Sequence, residues 1–159
     1  MRCDVHTFAQ MYETVYIDLY RFALCMMRNK QDAEDAVSEA VLKAYENIRK
    51  LKDESAFRNW IFTITANICR RRLRESAKRK SEPIEESLTH APSQEIDYGM
   101  SVDVKRAFFV LSEEEQAIIG LSVFGGYNSK EIGSMLGMKD NTVRSKKVRA
   151  LEKMECVLK

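Results

Sequence analysis

The chain has 159 residues, 31% of them charged and 45% hydrophobic, with a formal net charge of +2. That length and balance fit a folded, soluble protein of one medium domain or two small ones, and no stretch approaches the ~18–20 apolar residues of a membrane span. Cys3, Cys25, Cys69 and Cys156 are scattered without a CxxC pair, and Cys3 with His6 supplies too few ligands for a structural metal, so reduced thiols and no metal or cofactor are expected.

The segment MRCDVHTFAQMYE lacks the apolar core of a signal peptide, which predicts a cytoplasmic protein. The charge is segregated. Residues 1–80 and 105–159 are both mildly basic, whereas 81–104 contain no Lys or Arg but carry Glu82, Glu85, Glu86, Glu95, Asp97 and Asp103. Periodicity predicts three or four helices before this acidic segment, Val5–Met27 as one helix or two, Gln31–Lys50 and Glu54–Lys78. The second has an inner stripe of Ala33, Val37, Ala40, Val41, Ala44 and Ile48. Its start holds Asp32, Glu34 and Asp35, which complement the helix dipole; with Glu39 they read either as a solvated helix start or as an acidic docking face.

The third helix has Phe57, Ile61, Ile64 and Ile68 on its core side. Trp60, Thr63, Asn67, Arg70, Arg71 and Arg74 follow a neighbouring face, an arrangement suited to stacking on unpaired bases while cations hold phosphates. Both prolines, Pro83 and Pro92, fall in the acidic segment, which reads as a flexible linker. Beyond it, helices are predicted over Met100–Val110, Glu113–Phe124, Ser129–Leu136 and Asn141–Leu158. Ser112 with Glu115, and Asn128 with Glu131, have capping-box spacing. Gly137 stands where a turn between helices needs positive φ. The last helix is expected to bury Val143, Ala150, Leu151 and Met154, leaving Arg144, Lys146, Lys147 and Arg149 exposed behind Asn141, Thr142 and Ser145. That is the chemistry of a recognition helix: short polar groups for base edges and cations for phosphates. The fold class is all-α: two small helical domains joined by an acidic flexible linker, the C-terminal one a helix-turn-helix.

Two segments resemble one family. DAEDAVSEAVLKAYENIRKL with AFRNWIFTITANICRRRLRE, and LSEEEQAIIGLSVFGGYNSKEIGSMLGMKDNTVRSKKVRALEKM, are similar to the N-terminal and C-terminal domains of extracytoplasmic-function (ECF) sigma factors, the small promoter-specificity subunits of bacterial RNA polymerase. The resemblance implies region 2 over 1–80, an acidic linker over 81–103, and region 4 over 104–159. It implies that Asp32, Glu34, Asp35 and Glu39 dock on the clamp helices of the largest polymerase subunit, with the flap region a second contact. It assigns Phe57, Arg58, Asn59, Trp60, Thr63 and Asn67 to capture of the −10 element as a single strand, with Arg70, Arg71 and Arg74 on the backbone. Asn141, Thr142, Arg144, Ser145, Lys146, Lys147 and Arg149 are assigned to the −35 duplex. An anti-sigma factor, which can hold such proteins at the membrane, is implied as a further partner.

The sequence departs from the family at Ser38, where glutamine is usual, and at Lys146, where arginine is usual. A lysine is a point charge and makes no bidentate fork to guanine. Gly133 replaces the commoner alanine. The competing reading is a stand-alone helix-turn-helix regulator bound to its own operator. An enzyme is not expected: only His6 and His90 are present among histidines, and no phosphate-cradling glycine loop occurs.

Overall fold

The computed structural model describes residues 4–79 and 102–158, and among them the chain is helical, with no strand. The first unit contains α1 (Val5–Met26), α2 (Lys30–Glu46) and α3 (Phe57–Arg79). The second contains α4 (Val102–Phe109), α5 (Glu113–Val123), α6 (Ser129–Leu136) and α7 (Asp140–Leu158). The expected linker lies outside the described residues, save Val102 and Asp103, which open α4.

Local chemistry accounts for most of these boundaries. Asp4 caps α1 by accepting from the Thr7 amide at 2.7 Å, and Asn29 caps α2 by accepting from the Asp32 amide at 2.8 Å. The predicted helix Gln31–Lys50 is not continuous. Asn47 turns its side-chain amide onto the Lys43 carbonyl at 2.8 Å, and a 3-10 turn over Ile48–Lys50 follows. An asparagine that satisfies backbone groups locally competes with helix continuation. A second 3-10 turn, Glu54–Ala56, leads into α3.

Ala33, Ala36, Ala40 and Ala44 are fully buried, so α2 presents a row of small residues to α1 and α3 and can lie close to both. Helix α3 has neighbours on more than one side: α1 and α2 in its own unit, α5 and α6 in the other. Phe62, Thr65, Ala66 and Cys69 are therefore buried in addition to the expected Phe57, Ile61 and Ile68. Thr65 satisfies its hydroxyl by donating to the Ile61 carbonyl at 2.8 Å.

In the second unit both capping boxes are formed, Ser112 with Glu115 and Asn128 with Glu131. Gly137 ends α6 at φ 70°, the left-handed conformation that glycine adopts without a Cβ penalty. A Cβ at Gly133 would lie 2.6 Å from the Met138 carbonyl oxygen, so the turn closes directly over this position. Helix α7 buries Val143 and Ala150 fully, as expected, but Leu151 is 48% exposed and Met154 is only half-buried. The reason is coverage: Met154 reaches the cluster of Phe108, Leu111, Ile119 and Ala150, whereas Leu151 points away from it.

The two units are not separate in space. Leu19, Phe22 and Phe62 of the first share one buried cluster with Ile118, Leu121, Ile132 and Val143 of the second.

Candidate nucleic-acid interface

Trp60 is half-buried on α3, its ring centroid 6.4 Å from that of Phe57. It lines an open pocket of about 400 Å³ with Asn59 and Thr63 on α3 and with Lys50, Leu51, Lys52 and Ala56 from the segment ahead of it. Thr63 is oriented by donating to the Asn59 carbonyl at 2.8 Å. An indole edge, an amide and a hydroxyl beside two lysines can stack on a base, hydrogen-bond its edge and hold its phosphate. Lys50 and Lys52 are the pocket residues that sequence reasoning missed; two lysines in a short turn before an aromatic helix were the available signal.

Two residues predicted for strand capture lie elsewhere. Phe57 is 2% exposed and packs edge-on against Phe8 at 5.6 Å, so its ring supports the core and cannot reach a base. Arg58 points to the opposite side of α3. There it donates to Asp18 at 3.2 Å and to the carbonyls of Phe124 and Gly125 at 3.5 and 3.3 Å, with its guanidinium 4.9 Å from the Phe62 ring centroid. Asn67 is exposed further along α3.

The arginines beyond Asn67 are paired with carboxylates. Arg70 and Arg74 both donate to Glu113, at 2.6 and 2.9 Å. Arg71 and Arg72 both donate to Glu39, Arg72 at 2.7 Å through one guanidinium nitrogen. Burial raises the pKa of Glu113 and of Glu39, but the hydrogen bonds and charges of the paired guanidinium groups outweigh it and hold both carboxyls below the usual glutamate range.

Glu39 is consequently stitched to α3 and does not complete the acidic face at the start of α2. The other three carboxylates stay near the surface. Asp32 accepts from the Asn29 amide side chain at 3.1 Å and Asp35 from Gln31 at 3.0 Å, while Glu34 lies 3.9 Å from Lys30.

On α7 the leading end is open. Asn141, Thr142, Arg144, Ser145 and Arg149 are exposed, and Arg144 is braced by Asp140 at 3.3 Å. Lys146 and Lys147 are half-buried instead of fully exposed. They flank the Val143–Ala150 stripe and turn back to α5, Lys146 donating to Glu114 at 2.7 Å and Lys147 to the Ser122 hydroxyl at 3.0 Å. Among the described residues no group of three or more His, Cys, Asp or Glu could hold a metal ion, and no helix is long and apolar enough to cross a membrane.

Residues 11–79 match the family model described as Sigma-70 region 2, and residues 102–154 the one described as Sigma-70, region 4. The ECF RNA polymerase sigma factor SigM of Mycobacterium tuberculosis is 27% identical over 155 residues, covering 98% of this chain and 79% of that protein. The RNA polymerase sigma factor SigV of Bacillus subtilis is 26% identical over 141 residues, covering 89% and 84%. The sigma factor RpoE from Bartonella quintana, solved in complex with the anti-sigma factor NepR, superposes with a TM-score of 0.77 at 26% identity over 97% of this chain and 98% of that one.

Proposed function

Since the chain belongs to the sigma-70 family, as an RNA polymerase sigma factor of the ECF group, we propose that it steers core polymerase by gripping a promoter at two places. The division into region 2 over 1–80, a linker over 81–103 and region 4 over 104–159 belongs to this reading. The exposed leading end of α7, with Asn141, Thr142, Arg144, Ser145 and Arg149, reads the −35 duplex in the major groove. Lys146 and Lys147 add cationic charge at its flank. The Trp60 pocket takes an unstacked base of the −10 element, using Asn59 and Thr63 on the base and Lys50 and Lys52 on the backbone. Asn67, Arg70, Arg71 and Arg74 continue that track along α3.

Asp32, Glu34 and Asp35 form the acidic face that docks on a basic partner surface, the polymerase clamp helices, and region 4 meets the flap. Glu39 contributes through Arg71 and Arg72, which it positions. The chain acts in the cytoplasm and adds no catalytic step of its own; bond formation belongs to the polymerase. An anti-sigma factor as a further partner is supported by the relative from Bartonella quintana, which was solved with one.

One observation carries this reading over a stand-alone regulator. The same chain combines a duplex-reading helix with an aromatic pocket flanked by cations, and a regulator of duplex operators has no use for the second. In vitro transcription with core polymerase on a library of genomic fragments tests it: promoter-specific transcripts that require this protein are expected. Binding to one duplex site without polymerase, and no such transcripts, would establish the regulator instead.

A further inference from the structure

Three cations lie in the first two turns of α7, and two of them turn back to α5. Lys146 donates to Glu114 and Lys147 to Ser122. Arg144 is the one that projects from the leading end, and it is not loose. Its Nη2 donates to one oxygen of Asp140 at 3.3 Å, and its Nη1 to the side-chain oxygen of Asn141 at 3.5 Å.

Asp140 is itself held in place. Its other oxygen accepts from the Asn141 backbone amide at 2.9 Å. The turn beneath it is rigid: the Val143 amide donates to the Lys139 carbonyl at 3.1 Å, and Val143 is fully buried. The backbone nitrogen of Asp140 lies 3.5 Å from the place a Cβ on Gly133 would occupy, so the first residue of α7 rests on α6. One carboxylate oxygen thus serves the start of the helix and the other serves Arg144.

We propose that Asp140 is a specificity-determining residue, which positions Arg144 to read a guanine in the major groove of the −35 duplex. The proposal rests on the reading of α7 as the helix that enters that groove. A side chain on a helix leans toward the N-terminus, and pairing with a carboxylate four residues earlier holds Arg144 there, at the end that meets base edges. The guanidinium carries five N–H donors in a rigid fork; each Nη commits one hydrogen inward, which leaves three. Guanine alone offers two acceptors, O6 and N7, on its major-groove edge, whereas adenine and thymine offer one and cytosine a donor. A phosphate is the poorer partner, because the Asp140 carboxylate beside the guanidinium repels it. A neutral base edge meets no such repulsion. Asp140 contacts no base; it acts through Arg144.

The test uses holoenzyme containing the full-length chain and duplexes randomised over the upstream element. Wild type should enrich guanine at one position, and Arg144→Ala should lose that preference while keeping the others. Asp140→Asn is nearly isosteric and keeps an acceptor for the Asn141 amide. It should lower discrimination for guanine at that same position about tenfold. Affinity for duplexes lacking the guanine should stay level or rise, and the slope of log K against log salt should steepen by up to about 0.9 as the released guanidinium takes a phosphate. Asp140→Ser provides the same comparison if the first variant does not fold by circular dichroism. Uniform loss on every duplex with the guanine preference intact would make Asp140 only a first-turn carboxylate that stabilises α7, and would overturn the proposal. So would an Arg144→Ala variant weakened equally on all sequences with a shallower salt slope. Wild-type holoenzyme that enriches no upstream sequence would instead overturn the underlying reading of α7.

Discussion

Trp60 and Gly133 illustrate how much one side chain, or its absence, depends on its surroundings. The indole sits at the lip of a pocket with Asn59 and Thr63 beneath it, half-exposed on a helix whose other aromatic residues are buried. Stacking on an unpaired base contributes about 1–3 kcal/mol. Trp60→Ala should therefore reduce open-complex formation roughly tenfold or more, as read by permanganate footprinting, while initial duplex binding by the holoenzyme stays unchanged. Equal loss in both measurements would make the tryptophan a packing residue. Gly133→Ala tests a different balance. Helix propensity favours alanine by about 1 kcal/mol, but the new Cβ would meet the Met138 carbonyl at 2.6 Å. That carbonyl cannot retreat easily, because the Met138 amide donates to Gly133 at 2.8 Å. The variant should melt at a lower temperature than the wild type; a higher melting temperature would mean that propensity outweighs the clash.

At the scale of elements, α6 and α7 are set by their ends. Asn128 accepts from the Glu131 amide at 2.8 Å while the Glu131 carboxylate accepts from the Asn128 amide at 2.9 Å. Asn128→Ala removes the side-chain half of this box and should cost about 1 kcal/mol in urea unfolding. An unchanged midpoint would show that packing of Ile132 and Met135 alone fixes α6. Arg144 projects from the open end of α7, where it donates to Asp140 and Asn141. If it holds a phosphate, Arg144→Ala should weaken upstream-element binding by the holoenzyme and make the slope of log K against log salt shallower by about 0.9. An unchanged slope with relaxed sequence preference would assign it to a base instead.

For the whole molecule, the contact of α5 with α1 and α3 couples stability to acidity through Glu113 and its two arginines. The folded protein holds the Glu113 carboxyl below its ordinary value, about 4.5, so the ion pair contributes fully above that pH and is lost as pH falls through the depressed value. Peptide-resolved alkylation at matched reagent reactivity should find Cys25 protected near neutrality and more accessible below about pH 4.5. Glu113→Gln should flatten this acid limb. Glu39 and Glu115 are depressed as well, so a limb unaltered by that substitution would locate the acid sensitivity in those pairs and not in the pairing of Glu113 with Arg70 and Arg74.

Much of the fold was legible from single-helix patterns. The stripes of α2 and α3, the two capping boxes and the turn at Gly137 are read within a few residues of chain, where spacing alone brings groups together. The break at Asn47 was not, because the periodicity of α2 runs on through Ile48 while the side-chain bond that ends the helix leaves no trace in a hydrophobic pattern. The candidate site was legible as a set of residue types but not as an arrangement. Phe57 and Arg58 stand in the same motif as Trp60, yet helical rotation sends one into the core and the other toward Asp18.

By itself the sequence determined most of the helices, the two capping boxes of the second unit and the residue types gathered on α3 and α7, since each depends on contacts among near neighbours. Only the tertiary structure decided that the two units share a core, that Glu39 and Glu113 each engage two arginines of α3, and that Ser134 and Met135 wall the Trp60 pocket. Those contacts join residues tens of positions apart, and their geometry follows from how helices pack.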